Sequence, residues 1–108
     1  MKKGEIWLTE FPAIMGHEQT GNRPAIILTD TDFEITIIIP ITSNIQALRF
    51  PYTLEIKPSK SNGLKINSIA LVFQIRAIDK KRLIKKIGMA ENSIMRHIDE
   101  IIKKLFEL

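Results

Sequence analysis

The chain has 108 residues, with 16 lysines and arginines against 12 aspartates and glutamates, and it contains no cysteine. This length fits one domain, predicted here as 1–108, because a second core would not fit. The lack of cysteine excludes disulfides, thiolate nucleophiles and cysteine zinc sites, and it fits a reducing cytoplasm. The two histidines, His17 and His97, show no metal-ligand spacing, so we expect any catalysis to use no metal or other cofactor.

The amino terminus carries two lysines without the apolar segment of a secretory signal, and no apolar run approaches the ~20 residues that span a bilayer. We therefore expect a soluble, cytoplasmic protein with no membrane partner. A domain this small buries roughly two thirds of its unfolded surface, so it can fold alone. Any large cleft is expected to be shared with a second copy.

β-Strand patterns recur along the first 90 residues, and Thr31 to Phe33 is short enough to join two of the strands in a hairpin. The predicted strands are Gly4–Thr9, Pro24–Asp30, Glu34–Pro40, Tyr52–Lys57, Ser68–Phe73 and Arg82–Ile87. From about Glu91 to Phe106 the apolar residues follow a helical period. The predicted fold is β-rich (α+β), a small curled antiparallel sheet or barrel with a C-terminal amphipathic helix.

The charges are unevenly distributed. Residues 1–34 carry six acids against three bases, residues 35–88 carry two against ten, and residues 89–108 carry four against three. Lysines on the outer faces of strands would account for the basic middle segment. A surface for a polyanion is the alternative, because phosphate contacts supply most nucleic-acid affinity.

A long loop between the first two predicted strands concentrates groups that chemistry uses. It contains His17, Glu18 and Gln19 in succession, and Arg23 stands at the mouth of a strand next to the rigid Pro24. Loops of this length are often functional. The alternative is a solvated turn in which Glu18 and Arg23 form a weak surface ion pair.

Two further segments carry polar groups at strand ends. Thr42 and Ser43 end an aliphatic strand, where hydroxyls either cap the backbone locally or bind a phosphate. The segment from 73 to 82 leaves a strand and enters a basic turn opened by Asp79. A solvated basic loop is the alternative reading of that segment.

These three segments, in this order and spacing, make the chain similar to the MazF/PemK family of toxin endoribonucleases from type II toxin–antitoxin modules. The resemblance covers essentially the whole chain. It rests on Gly4–Trp7 with Phe11-Pro12, on Gly16–Ala25 (G-H-E-Q-T-G-N-R-P-A), on Ile41–Ser43, and on Gln74–Leu83 (Q-I-R-A-I-D-K-K-R-L).

The resemblance implies an SH3-like barrel that acts as a homodimer and cuts single-stranded RNA without a metal, leaving a 2′,3′-cyclic phosphate and a 5′-hydroxyl. It assigns catalysis to Arg23 and Thr42. It also assigns a catalytic role to Glu18, because the corresponding glutamate is implicated in some members of the family. His17 stands where the family usually has a small residue. The resemblance also implies an antitoxin whose acidic, disordered tail blocks the RNA groove.

The chemistry of these residues agrees with such a reaction. RNA cleaves itself when its 2′-hydroxyl is held in line with the phosphorus and the added charge is neutralised. Arg23 can donate two hydrogen bonds to phosphate oxygens, and Thr42 can donate one. The general base stays open between Glu18 and His17.

Substrate selection is assigned to amides, which suit base edges, and to basic groups, which reach phosphates. The predicted RNA-binding residues are His17, Gln19, Ser43, Asn44, Gln46, Arg49, Gln74, Arg76 and Lys80. Phe11 and Phe50 are the candidates for stacking on bases. Two alternatives stay open: a CcdB-like toxin that binds gyrase without hydrolysis of its own, and an inactive member that only binds RNA or antitoxin.

Overall fold

Seven antiparallel strands and one helix make up the fold of the computed structural model, which describes residues 1–12 and 21–108. The strands are β1 (Glu5–Phe11), β2 (Gly21–Asp30), β3 (Ile35–Thr42), β4 (Thr53–Ile56), β5 (Ser68–Leu71), β6 (Arg76–Asp79) and β7 (Leu83–Met89). The helix α1 spans Asn92–Phe106, and short 3₁₀ turns cover Ile45–Arg49, Val72–Gln74 and Lys80–Arg82.

The sheet has the strand order β4-β5-β3-β2-β1-β7, and β6 pairs with β3 beside this path. Strand β3 therefore has two partners along one edge: its first half pairs with β6, and its end, Ile41 and Thr42, pairs with β5. On its other edge β3 pairs with β2. The sheet divides at β3, which puts the end of β3 at the junction of the two halves.

The main core lies between one face of the sheet and α1. It is built from β-branched residues of the strands, such as Ile6, Ile26 and Ile39, together with Ile98 of the helix. These side chains are fully buried, and burial of one such side chain stabilises the fold by about 1.5–3 kcal/mol. A second cluster around Phe11 packs on the opposite face. Apolar residues on both faces explain the near-continuous isoleucine runs of β2 and β3.

The predicted fold class is confirmed, since the six predicted strands, the hairpin between β2 and β3 and the terminal helix are all present. The sequence reading missed β6, whose four residues it assigned to a strand exit and basic turn. The predicted basic turn follows β6 directly, and there the Asp79 carboxylate accepts a hydrogen bond from the Lys81 backbone N–H at 3.0 Å. In the described ranges, no helix is long and apolar enough to cross a membrane.

Candidate active site

A cavity of about 520 Å³ lies where β2, the end of β3, β7 and the loop before β5 meet. Arg23 and Thr42 both line it. Ala25 of β2 pairs with Pro40 of β3, and Arg23 and Thr42 each lie two residues beyond this pair on their own strands. Because alternate residues of a strand share a face, the antiparallel register brings both side chains to the same end of the same face.

Thr42 is buried in the wall of this cavity, and Ser43 beside it is exposed. The Thr42 hydroxyl accepts a hydrogen bond from the Asn44 backbone N–H at 3.2 Å. This bond uses an acceptor lone pair, so the hydroxyl keeps its own hydrogen for donation. Thr42 thus combines the predicted local cap with the capacity to bind an oxygen atom in the cavity.

Three lysines add positive charge to the cavity wall: Lys65 from the loop, and Lys85 and Lys86 from β7. Lys86 forms an ion pair of 3.3 Å with Glu5, whose side chain is buried. With Arg23, these residues make the cavity a basic site. Anions such as phosphate groups are the ligands that suit it.

Glu5 is held as a carboxylate beneath this wall. Burial by itself would raise the pKa of the Glu5 carboxyl, but the hydrogen bonds from the Trp7 indole, the Lys2 backbone and Lys86, with the lysine's charge, outweigh burial and lower the pKa below its ordinary value of 4.5. The indole Nε1 donates to Glu5 Oε1 at 2.9 Å. Glu5 thus anchors Lys86 at the edge of the cavity.

The loop that forms the far wall is organised by Asn62, a polar residue that is 0 % exposed. Its Oδ1 accepts from the backbone N–H groups of Ser59 at 3.0 Å and Leu64 at 2.9 Å. Its Nδ2 donates to the Lys57 carbonyl at 2.9 Å and to Glu91 Oε1 at 3.2 Å. The amide therefore accepts two hydrogen bonds and donates two, and these bonds fold the loop and attach it to Glu91 at the start of α1.

The same loop lies directly on the backbone of β7. A Cβ added to Gly88 would come within 2.5 Å of the Asn62 backbone, and one added to Gly63 would come within 2.4 Å of the Ile87 carbonyl oxygen. Gly63 also has a φ of +71°, which disfavours any side chain there. Two walls of the cavity thus touch without side chains between them.

Several predicted RNA-binding residues lie next to this cavity, on the 3₁₀ turn that follows β3. Asn44 caps that turn, its side-chain oxygen accepting from the Gln46 backbone N–H at 3.1 Å. Gln46 and Arg49 are exposed, and the Arg49 guanidinium lies 5.0 Å from the centre of the Phe50 ring.

The remaining predicted residues in the described ranges do not line the cavity. Gln74 ends the second 3₁₀ turn, and Arg76 in β6 packs its guanidinium 4.6 Å from the centre of the Phe11 ring. Phe11 is only 2 % exposed, so its predicted role in base stacking is wrong, and it serves as core. Lys80 binds Asp30 at 3.1 Å, at the opposite end of β3 from Thr42 and roughly 20 Å along that strand.

The predicted residues His17, Glu18 and Gln19 lie outside the described residues. In the part of the chain that the structure describes, no three His, Cys, Asp or Glu side chains are grouped so that they could hold a metal ion.

The second half of this site was not predicted from the sequence: it consists of Lys65, Lys85 and Lys86 and the loop around Asn62. Its one available signal was the surplus of bases in residues 35–88, to which all three lysines contribute. That signal gave no placement, because the loop and β7 are separated from β3 in sequence and meet it only through the sheet.

The comparisons with known proteins identify the family. Residues 2–106 match the model of the PemK-like, MazF-like toxins of type II toxin–antitoxin systems. The chain is 33 % identical over 107 residues to Endoribonuclease EndoA of Bacillus subtilis, covering 95 % of this chain and 91 % of the relative. It is 32 % identical over 106 residues to Endoribonuclease MazF of Staphylococcus saprophyticus, covering 94 % and 88 %. The chain therefore belongs to the PemK-like, MazF-like toxin family, which confirms the predicted family, and both relatives carry the name of the predicted activity.

Solved structures agree at the level of the fold. MazF from Deinococcus radiodurans in one crystal form superimposes with a TM-score of 0.83 at 20 % identity, covering 100 % of this chain and 97 % of that one. A MazE–MazF structure from the same organism gives a TM-score of 0.76 at 20 % identity, covering 100 % and 96 %. The predicted MazF-like fold is thereby confirmed.

Proposed function

We propose that this chain is the toxin of a type II toxin–antitoxin module and cleaves single-stranded RNA, including mRNA, at short recurring sequences, and so inhibits translation and growth. One observation carries the proposal: Arg23 and Thr42, from two neighbouring strands, line a single basic cavity. The family and the names of the two relatives support the same activity.

The proposed reaction is attack of the 2′-hydroxyl oxygen on the adjacent phosphorus. The bond from phosphorus to the 5′-oxygen breaks, giving a 2′,3′-cyclic phosphate and a 5′-hydroxyl. Arg23 neutralises the charge that develops on the non-bridging oxygens, and Thr42 donates a hydrogen bond to one of them. The RNA supplies its own nucleophile, so the protein contributes positioning and electrostatic stabilisation without a metal.

A base accepts the proton of the 2′-hydroxyl, and a proton must reach the 5′-oxygen that leaves. We assign Glu18 to this chemistry, with His17 as the alternative base. The dependence of rate on pH separates them. If His17 is the base, the logarithm of the rate bends near pH ~6–7, and the bend disappears in His17→Ala. An unchanged profile assigns the proton transfer to Glu18 or to another group.

The proposal includes three partners and a compartment. The RNA passes over the cavity and the turn carrying Gln46 and Arg49, and the protein acts in the cytoplasm as a homodimer. An antitoxin with an acidic, disordered tail binds the same basic surface, and a MazE–MazF structure among the similar folds supports such a partner. Light scattering on the purified chain, alone and with an acidic peptide that competes with RNA, tests both associations.

The decisive experiment incubates purified protein with a long transcript in EDTA and maps the ends by sequencing. Wild type should cut at one recurring motif. Thr42→Val, which keeps the shape and removes the hydroxyl, should lower kcat about 10²–10³-fold, and Thr42→Ser should restore most of it. Arg23→Lys keeps the positive charge but removes the planar fork that donates two hydrogen bonds to phosphate oxygens. It should therefore also lower kcat.

Matched controls keep the same chemistry away from the cavity. Arg96→Lys changes an exposed arginine of α1, and Thr29→Val changes an exposed threonine of β2. Both should cleave as wild type does. Intact RNA with wild-type protein at every concentration contradicts the proposal, and equal loss in the controls contradicts the assigned roles.

A further inference from the structure

A group of exposed apolar residues surrounds the 3₁₀ turn after β3, beside the cavity but outside it. Phe50 is 45 % exposed and Phe73 is 37 % exposed, and their ring centres are 5.8 Å apart with an angle of 49° between the planes. The Arg49 guanidinium lies over the Phe50 ring. We call Arg49, Phe50 and Phe73 the aromatic platform.

The platform is fixed to the scaffold by backbone hydrogen bonds. The Phe73 N–H donates to the Tyr52 carbonyl at 3.2 Å, and the Phe50 carbonyl accepts from the Thr53 hydroxyl at 3.0 Å. Tyr52 itself has a φ of +59°, a left-handed backbone that costs about 1–2 kcal/mol for a residue with a side chain. The fold therefore holds two large rings at the surface, one of them two residues before this strained position, although burial would ordinarily stabilise such rings.

The 3₁₀ turn that carries Arg49 and leads into Phe50 packs on the face of the sheet on which Thr42 lies. Thr42 is opposite Ile69 of β5, and Thr53, three residues after Phe50, is opposite Leu71. Ile69 and Leu71 are two residues apart, so their side chains share a face, and both pack against Ala47 of the 3₁₀ turn. Strand spacings place the Cα atoms of Thr42 and Thr53 roughly 12 Å apart, which is within reach of a few nucleotides.

The charge of the platform suits RNA. The two segments that carry the platform, residues 43–52 and 71–78, contain no aspartate or glutamate, and their two charged residues are Arg49 and Arg76. Unpaired bases stack on aromatic rings and on arginine planes, and the neighbouring phosphates are attracted by the guanidinium.

We propose that the aromatic platform stacks an unpaired base of the RNA a few nucleotides from the cut, so that Phe50 and Phe73 determine affinity and the position of a flanking contact. This inference rests on the proposed cleavage of single-stranded RNA. Arg49 binds the phosphate next to the stacked base. The platform holds substrate and takes no part in the bond changes at phosphorus.

The test uses full-length protein and the motif mapped in the transcript experiment. A fluorescent oligonucleotide carries that motif with flanking nucleotides, 2′-O-methylated throughout so that it lacks the nucleophile. Phe50→Leu and Phe73→Leu keep apolar volume but remove the ring, and each should weaken binding roughly 5- to 150-fold. For a cleavable oligonucleotide, KM should rise by more than kcat falls. Phe73→Tyr should bind as wild type does.

A scan of abasic nucleotides locates the contact. One flanking position should lose affinity when its base is removed from the wild-type complex, and the same change should have no added effect on Phe50→Leu or Phe73→Leu. Phe33→Leu is the matched control, because Phe33 is 78 % exposed at the tip of the β2–β3 hairpin. It should bind the oligonucleotide unchanged.

The outcomes are distinct. If wild type cuts no RNA, the proposed function fails. The inference is overturned if wild type cuts RNA and the leucine variants bind RNA as tightly as wild type does. It is equally overturned if removal of the base at every position lowers the affinity of the leucine variants as much as it lowers that of wild type, since the platform then does not stack a base. The inference is also overturned if Phe73→Leu dissociates the protein into smaller species, or if it weakens the binding of an acidic peptide but not the binding of RNA. In either case the rings belong to a protein interface.

Discussion

Substitution of Asn62 by alanine should destabilise the fold far more than its place in a surface loop suggests. The amide makes two hydrogen bonds to backbone N–H groups, one to a carbonyl and one to the Glu91 carboxylate. A neutral bond contributes about 1 kcal/mol and one to a charged group at least about 1.5 kcal/mol. Water can reach the half-exposed Ser59 and Glu91, so we expect a net loss of about 3–4 kcal/mol.

This loss is measurable by urea unfolding at 25 °C and by thermal melting. For a chain of this size it corresponds to a fall in Tm of about 12–16 °C. Asn67→Ala removes an exposed asparagine of the same loop and should leave Tm within about 2 °C. Below its Tm, Asn62→Ala should also cleave RNA more slowly, because Leu64 and Lys65 of the cavity wall lose their support. A melting temperature for Asn62→Ala close to that of Asn67→Ala would refute the reasoning.

Three further predictions concern the scaffold of the site. Gly88→Ala places a methyl group against the Asn62 backbone, and this overpacking should destabilise the fold by about 1–3 kcal/mol. Thermal melting should show the loss as a lower Tm. An unchanged Tm would show that the loop can move away from β7. The lowered pKa of Glu5 contributes stability that is present above pH 4.5 and is lost as pH falls through the folded-state pKa. In urea unfolding across this pH range, the free energy of unfolding should fall less steeply for Glu5→Gln, because glutamine does not titrate. If the free energy of unfolding falls equally steeply for wild type and Glu5→Gln, the assignment is contradicted. Ile98→Ala empties the centre of the core and should cost about 2–5 kcal/mol by chemical denaturation, whereas a cost below 1 kcal/mol would mean that the helix packs loosely.

The sequence predicts the strands well because their signals are local. The alternation and β-branched content of segments such as Pro24–Asp30 are properties of adjacent residues, and they survive in the folded protein. Strand β6 escaped because four residues ending in a basic turn carry little periodicity. It exists through its pairing with Ile35–Ile38 of β3, which is a tertiary effect.

The site divides in the same way. Arg23 and Thr42 were found from motifs, and the β2–β3 register accounts for their meeting in one cavity. Lys85 and the loop at Asn62 could not be placed, since nothing in their own segments indicates that they face the end of β3. Phe73 carried no signal either, because an apolar residue at a strand end is read as core until its exposure is known.

The pairing of β1 with β7 has a consequence for synthesis of the protein. Glu5 near the start of the chain pairs with Met89, and β7 supplies one wall of the cavity. Contacts so distant in sequence form only when both β1 and β7 are available. A nascent chain that has not yet released β7 from the ribosome lacks Lys85, Lys86 and the support for the Asn62 loop. The site of this toxin is therefore incomplete on the ribosome until β7 has emerged and paired with β1.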